Sequence, residues 1–155
     1  MKKLALAVVL TLVGAVAWRV HTRDAPDAKL LFGRFWIDHE PRDEKETFQA
    51  LFVDGEHPFG HFAARTVWTG QWEGFHYHVL PRQEGAIDLL FGATRERQRA
   101  RYVARRCHEN GFDFCLELSG SSRGVKRYYS KKEWQVPDGD AADRLLRALV
   151  GVRDE

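Results

Sequence analysis

Short stretches in which apolar and polar residues alternate dominate this chain and predict β-strands. In Arg99–Cys107, arginines alternate with small or aromatic residues. Phe112–Leu118 alternates in the same way, as an antiparallel strand does when only one of its faces is buried. The pattern predicts eight strands, over Leu30–Ile37, Thr47–Val53, Phe62–Thr69, Trp72–Leu80, Ile87–Phe91, Arg99–Cys107, Phe112–Leu118 and Val125–Ser130.

Turn residues separate these predicted strands at short intervals. The dipeptides Asp54-Gly55 and Asn110-Gly111 and the cluster Pro81–Gly85 are typical turn sequences. Because nearly every connection is short enough for a hairpin, successive strands are expected to be antiparallel neighbours. We therefore predict a mainly β protein, in which an up-and-down meander of about eight antiparallel strands closes into a small barrel rather than a sandwich.

The pattern changes to a helical period near the C-terminus. Apolar residues recur there at positions i, i+3, i+4 and i+7, after a stretch, Pro137–Asp140, that is typical of a helix start. Gly151 suits the position just beyond the helix end. We expect one amphipathic helix over Asp140–Val150, which lies against the barrel through Ala142, Leu145, Leu146 and Leu149.

The first 17 residues have the pattern of a secretory signal. Lys2 and Lys3 precede an apolar run, Leu4–Ala17, that ends in the small-x-small sequence Ala15-Val16-Ala17. The run is shorter than the roughly 20 residues that a membrane-spanning helix needs. The expected divisions are a signal peptide over 1–17, a linker over 18–28 and the barrel domain with its helix over 29–151.

A cleaved signal would send the protein across the inner membrane to the periplasm. The alternative is an uncleaved signal that anchors the chain in the inner membrane, with Trp18 at the interface.

Composition limits the classes of protein to which the chain can belong. Its 155 residues suit one domain, and 44% hydrophobic with 30% charged residues excludes disordered, collagen-like and multi-span membrane proteins. Of its 24 basic residues, Lys2 and Lys3 lie in the predicted signal, and 22 residues are acidic. The mature chain therefore has no net charge, which argues against a nucleic-acid partner.

Charge is nevertheless segregated along the chain. Acidic residues dominate the stretch 38–56, whereas eleven basic and four acidic residues lie between Arg95 and Lys132. Three of these arginines share one face of a predicted strand, and this face is expected to contact an anionic component of the cell envelope, such as lipid head groups. The alternative is a solvated face that pairs with acidic residues of neighbouring strands. The three are Arg99, Arg101 and Arg105.

Cys107 and Cys115 are the two cysteines of the chain. An even number of cysteines in an exported protein predicts a disulfide, because the compartment is oxidising. A hairpin with an odd-numbered loop centred on Gly111 would place the two cysteines opposite each other, whereas a two-residue Asn-Gly turn would miss that pairing by one. The alternative is two free thiols that pack as small apolar residues.

The spacing of the histidines indicates a candidate metal site. His76 and His78 lie on one face of a predicted strand, where two imidazoles can hold one zinc or copper ion, and His57 and His61 lie in a nearby loop. The alternative is a polar strand face with scattered histidines.

Catalysis has little support in the sequence. Ser122 occupies a Gly-x-Ser-x-Gly pattern, but no helix is predicted after it, as a nucleophile elbow requires. The sequence therefore predicts no catalytic residue and no cofactor, and favours a protein that is not an enzyme.

Aromatic residues exceed what the core of one small barrel needs. Trp36, Trp68, Trp72 and Phe91 are candidates to line a cavity for an apolar ligand. The alternative is that they fill the core.

The sequence Gly33-Arg34-Phe35-Trp36 in the first predicted strand resembles the Gly-x-Trp signature of the lipocalin and calycin barrels, although Phe35 occupies the place of the tryptophan. The predicted secretory signal, meander and C-terminal helix are also similar to those of lipocalins and of small secreted bacterial proteins. The resemblance implies a barrel that holds an apolar or amphiphilic small molecule.

Together these patterns predict a secreted, non-catalytic binding protein. Its ligand would be an apolar or amphiphilic small molecule in the barrel, or an anionic envelope component on the basic face. The alternatives are a structural or interaction module without a small ligand, and a metal-binding protein that uses His76 and His78.

Overall fold

The computed structural model of the chain describes residues 25–43, 46–65 and 71–149. A 3-10 helix, Ala28–Leu31, comes first, and an α-helix, α1, spans Gly139–Leu149. Between them lie eight strands: β1 (Arg34–Ile37), β2 (Phe48–Val53), β3 (Phe59–Arg65), β4 (Gln71–Val79), β5 (Ala86–Phe91), β6 (Arg97–Glu109), β7 (Phe112–Ser119) and β8 (Arg127–Ser130). The predicted signal, most of the predicted linker and the end of the third predicted strand lie outside the described residues.

The eight strands close into one barrel in chain order, and each is antiparallel to its neighbours. The pair Ile37 and Tyr129 joins β1 to β8 and completes the circle. The predicted meander, its closure into a barrel and the C-terminal helix are therefore confirmed. Short connections explain this topology, because a hairpin turn can only return the chain to the adjacent position.

The barrel interior is filled with side chains. Trp36, Phe91, Leu116 and Tyr128 are all fully buried there. Successive residues of a strand point to opposite faces, so every second residue contributes to this interior. Its buried members are Leu31, Trp36, Leu51, Val53, Phe62, Phe75, Ile87, Leu89, Phe91, Ala100, Tyr102, Ala104, Phe114, Leu116, Leu118 and Tyr128.

A second core lies outside the barrel, against β1 and β2. The segment after β8 and α1 cover this side of the molecule, so β1 is buried on both of its faces. Its buried members are Phe35, Ile37, Phe48, Ala50, Phe52, Phe112, Trp134, Val136, Ala142 and Leu146. α1 also contacts Trp72 at the start of β4, but no residue of β5 or β6 belongs to this second core. We call the outer face of β5, of β6 and of the His76–His78 part of β4 the open face.

The 3-10 helix closes one end of the barrel. The Asp27 carboxylate accepts a hydrogen bond from the Lys29 N–H at 2.9 Å and starts the helix. The Trp36 indole then donates to the Leu31 carbonyl at 3.1 Å. The first predicted strand, Leu30–Ile37, is therefore too long at its start, since β1 begins only after Gly33, whose φ of 61° turns the chain.

The hairpin of β6 and β7 contains the disulfide Cys107–Cys115, with the two Cα atoms 5.7 Å apart. The predicted disulfide is confirmed, but the predicted odd-numbered loop is not found. Asn110 and Gly111 form a two-residue turn with positive φ values of 54° and 81°. The register shifts between Arg106 and Glu109, and this bulge lets Cys107 bond to Cys115, although Arg105 is the residue opposite Cys115.

Candidate functional site

The open face carries two rows of side chains that cross three strands. The register places His76, Leu90 and Arg97 in the first row, and His78, Asp88 and Arg99 in the second. A groove of about 620 Å³ runs over both rows. Neighbouring strands are about 4.8 Å apart, so the two end residues of a row are on the order of 10 Å apart.

Arg99 and Asp88 form the fixed polar centre of the groove. Arg99 Nε donates to Asp88 Oδ1 at 2.7 Å, and Nη2 donates to Oδ2 at 3.1 Å. This bidentate contact lowers the pKa of the Asp88 carboxyl group below its ordinary value. Asp88 therefore stays ionised and holds the guanidinium of Arg99 in one orientation.

The other arginines of β6 differ in their partners. Arg105 lies 3.6 Å from Glu117 on β7. In contrast, Arg97 and Arg101 are exposed and form no ion pair with any residue that the structure describes. The three arginines predicted to form a basic face, Arg99, Arg101 and Arg105, all point outward. Of these three, only Arg101 has no carboxylate partner among the described residues. The uncompensated positive charge of the open face comes from Arg97 and Arg101.

His76 and His78 both point outward, as their spacing predicts. The His76 ring contacts Phe59 on β3, with ring centroids 4.6 Å apart. Among the described residues, no group of three or more histidine, cysteine, aspartate or glutamate side chains is arranged to hold a metal ion. His76 and His78 therefore lack a third ligand in this part of the chain.

A second cleft of about 490 Å³ lies beside the groove and shares His76 with it. It is also lined by Gly74, by Gly139 at the start of α1, and by His61, whose ring lies against Trp72 at a centroid distance of 5.8 Å. Burial lowers the pKa of His61, and the negative charge of Asp54 opposes this shift only in part. His57 and His61 thus lie apart from the groove, since neither lines it.

The four aromatic candidates fall in different places. Trp36 and Phe91 are fully buried in the barrel interior. Trp72 lies on the outer side, where its indole donates to Asp143 of α1 at 3.2 Å. Trp68 lies outside the described residues. The candidates therefore do not line one common cavity.

A polar cluster lies at the barrel end opposite the 3-10 helix. The guanidinium of Arg123 covers the Phe91 ring at 4.6 Å. It also donates to both carboxylate oxygens of Glu73, at 2.9 and 3.2 Å, and to Glu96 at 3.0 Å. These contacts fix the β7–β8 loop over the interior.

Sequence reasoning missed three residues of the groove, Asp88, Leu90 and Arg97. Arg97 lies just before the predicted start of its strand, and the sequence assigns Leu90 no role beyond its place in the predicted strand Ile87–Phe91. A register drawn through the turn at 92–96, which joins β5 to β6, would have placed Asp88 opposite Arg99, because a hairpin turn sets the pairing of the strands beside it.

No helix in the described part of the chain is long and apolar enough to cross a membrane. No protein-family model, curated protein or solved structure matches this chain.

Proposed function

We propose that this protein is a non-catalytic binding protein that contacts an anionic surface of the cell envelope through its open face. The observation that carries the proposal is a contrast between the two sides of the barrel wall. Inside, fully buried side chains such as Trp36 and Leu116 occupy the space that a carried ligand would need. Outside, Arg97 lines the groove and Arg101 lies beyond it on the same face of β6, and neither has a carboxylate partner among the described residues.

The distribution of charge supports an anionic partner. Arg99 neutralises Asp88, so the additional charge of Arg97 and Arg101 is available to a ligand. Exposed arginines bind phosphate and carboxylate groups in a planar, bidentate way. Both lie on the outer face of β6, no residue of which belongs to the core that α1 covers.

Export is part of the same proposal. Residues 1–17 would direct the chain across the inner membrane, with the periplasm as its destination and an uncleaved inner-membrane anchor as the alternative. The Cys107–Cys115 disulfide supports this location, since such bonds persist in oxidising compartments.

A lipocalin-like carrier is a less favoured form of the proposal. An eight-stranded antiparallel barrel is compatible with it. However, an interior ligand would have to displace the Arg123 cluster and several fully buried aromatic side chains. A protein that binds through its outer surface needs no such rearrangement.

The test is co-sedimentation of the exported protein with anionic lipid vesicles at low and high salt. We expect binding at low salt that weakens steeply as salt rises, because exposed charges are screened over about 8–10 Å at physiological ionic strength. The double change Arg97→Gln and Arg101→Gln should reduce binding and leave the fold intact, since exposed charges contribute little to stability.

Arg144→Gln is the control, because it removes an exposed positive charge from α1 at a position that does not line the groove. It should bind vesicles as the unchanged protein does. Absence of vesicle binding, or binding that does not depend on the salt concentration, would contradict the proposal.

A further inference from the structure

The first row of the open face extends across four strands. Phe59 on β3 pairs with His76, His76 with Leu90, and Leu90 with Arg97. Phe59 is 42% exposed, which is unusual for a phenylalanine in a barrel wall. The row thus combines two apolar side chains with an imidazole and an unpaired guanidinium.

Hydrogen-bond donors surround the centre of this row. Arg97 lies on one side of Leu90 and His76 on the other. Arg99 lies on the same strand face as Arg97, and the Nε and Nη2 groups of Arg99 donate to Asp88. A guanidinium has five N–H donors, so Arg99 retains donors that Asp88 holds in a fixed position.

We propose that this groove binds the phosphomonoester head group of a lipid, an inference that rests on the proposed function and names the lipid class that the open face selects. The phosphate occupies the space above Leu90, between His76 and Arg97. The glycerol and the upper acyl carbons contact Leu90 and Phe59.

The choice of a phosphomonoester follows from charge and from the number of acceptors. Such a group carries about −1.5 to −2 at pH 7 and has three strong acceptor oxygens. The groove offers donors from Arg97 and Arg99 on one side and from His76 and His78 on the other. A phosphodiester has a single charge and two free oxygens, so it leaves some of these donors without an acceptor.

The apolar side chains of the row indicate that the bound phosphate group belongs to a lipid rather than to a free phosphate ester. A free phosphate needs no hydrophobic contact, whereas Leu90 lines the groove and the exposed Phe59 continues its first row into the neighbouring cleft. A lipid buries this surface when its phosphate reaches the arginines, and apolar burial contributes about 25 cal/mol per Å².

The experiment compares the full chain on two kinds of vesicle with equal surface charge. One contains phosphatidic acid, which is a phosphomonoester, and the other contains phosphatidylglycerol, which is a phosphodiester. We expect about tenfold tighter binding to phosphatidic acid, the effect of one additional charge-assisted hydrogen bond. Soluble glycerol phosphate is added as a competitor in a third arm.

Three variants test the residues of the groove. Arg97→Gln and the double change His76→Gln with His78→Gln should each remove the preference for phosphatidic acid. Phe59→Ser should weaken binding to both vesicles. Arg144→Gln should keep the preference, because Arg144 is an exposed residue of α1 that does not line the groove.

The outcomes separate this inference from the proposed function. Equal affinity for the two vesicles overturns the inference and leaves the proposed function standing. No binding to either vesicle overturns both. Competition by glycerol phosphate at low concentration would contradict the assignment of a lipid, since the ligand would then be a free phosphate ester.

Discussion

Single buried polar side chains show how this small barrel satisfies its hydrogen bonds. Arg34 is 7% exposed, and it donates to the Lys131 carbonyl at 2.8 Å while it covers the Phe114 ring. The fully buried Ser130 hydroxyl donates to the Phe35 carbonyl at 2.6 Å. A buried polar group without such a partner would destabilise the fold, so these contacts keep the core intact.

Asp54 organises the turn between β2 and β3. Its Oδ1 accepts hydrogen bonds from the backbone N–H groups of Glu56, at 2.8 Å, and His57, at 3.0 Å. Burial raises the pKa of Asp54, but these hydrogen bonds and the nearby His57 ring outweigh it, so the pKa is lowered overall. The carboxylate therefore stabilises the folded state more than the protonated acid does.

The change Asp54→Ala should lower the free energy of unfolding by about 1–2 kcal/mol at pH 7, because two N–H groups lose their acceptor. The folded pKa lies below the unfolded value of about 3.9, so this stabilisation is present above that pH and is lost as the pH falls below it. The difference between the two proteins should therefore shrink in acid. Urea unfolding at pH 7 and near pH 3 measures it.

Glu56→Ala is the control for Asp54, because it keeps the backbone N–H and removes an exposed side chain. It should change stability little at either pH. A difference between Asp54→Ala and the unchanged protein that does not depend on pH would contradict the role of the carboxylate charge.

At the scale of elements, the β6–β7 hairpin combines three local features that depend on one another. The Asn110-Gly111 turn fixes the pairing next to it, the bulge before Glu109 shifts that pairing, and the disulfide joins the strands beside the bulge. β6 is the longest of the described strands, and its outer face carries the arginines of the open face. The hairpin therefore holds the strand on which the proposed function depends.

Replacing both Cys107 and Cys115 by alanine should lower the free energy of unfolding by about 2–3 kcal/mol, because the short loop loses its cross-link in the unfolded chain. A reductant should destabilise the unchanged protein and leave the double variant unaffected, as measured by urea unfolding. Two free thiols in alkylation of the denatured, unreduced protein would contradict the disulfide.

On the scale of the whole molecule, the barrel has a covered side and an open side. α1 and the segment after β8 bury the outer faces of β1 and β2, so apolar residues lie on both sides of the wall there. On the open side, the interior is equally well filled, but the outer face carries charged and imidazole side chains. Binding is therefore expected outside the barrel rather than within it.

Leu116→Ala tests whether the interior is filled. Leu116 is fully buried, so the change should lower stability by about 3 kcal/mol and leave an apolar cavity. The variant should then bind benzene, whereas the unchanged barrel should not. Val103→Ala, on the outer face of β6, is the control and should change stability by less than about 1 kcal/mol. Benzene binding by the unchanged protein would indicate a hollow barrel and favour a carrier.

Much of the fold follows from local pattern. The alternation in β6 correctly separates the outward Arg99, Arg101 and Arg105 from the inward Ala100 and Tyr102. The helical period in α1 likewise identifies the residues that face the barrel. These features are readable because the direction of a side chain along a strand or helix depends only on the regular backbone.

Local sequence pattern predicts the candidate site less completely than it predicts the fold. The arginines of β6 are equivalent in the sequence, yet Arg99 meets Asp88 and Arg105 meets Glu117, while Arg101 meets no carboxylate among the described residues. Partner choice depends on the register of two neighbouring strands, and a bulge or turn some residues away sets that register.

Local sequence pattern is enough to predict the number and order of the strands, the faces of the amphipathic elements and the pairing of the two cysteines. Where both faces of a strand are apolar, packing in the tertiary structure determines which face lies inside the barrel. In β1, Trp36 points into the barrel while Phe35 and Ile37 lie beneath the covering segment, and all three are buried. Alternation distinguishes two faces only when one of them meets water, so packing between distant segments had to settle which face is inside.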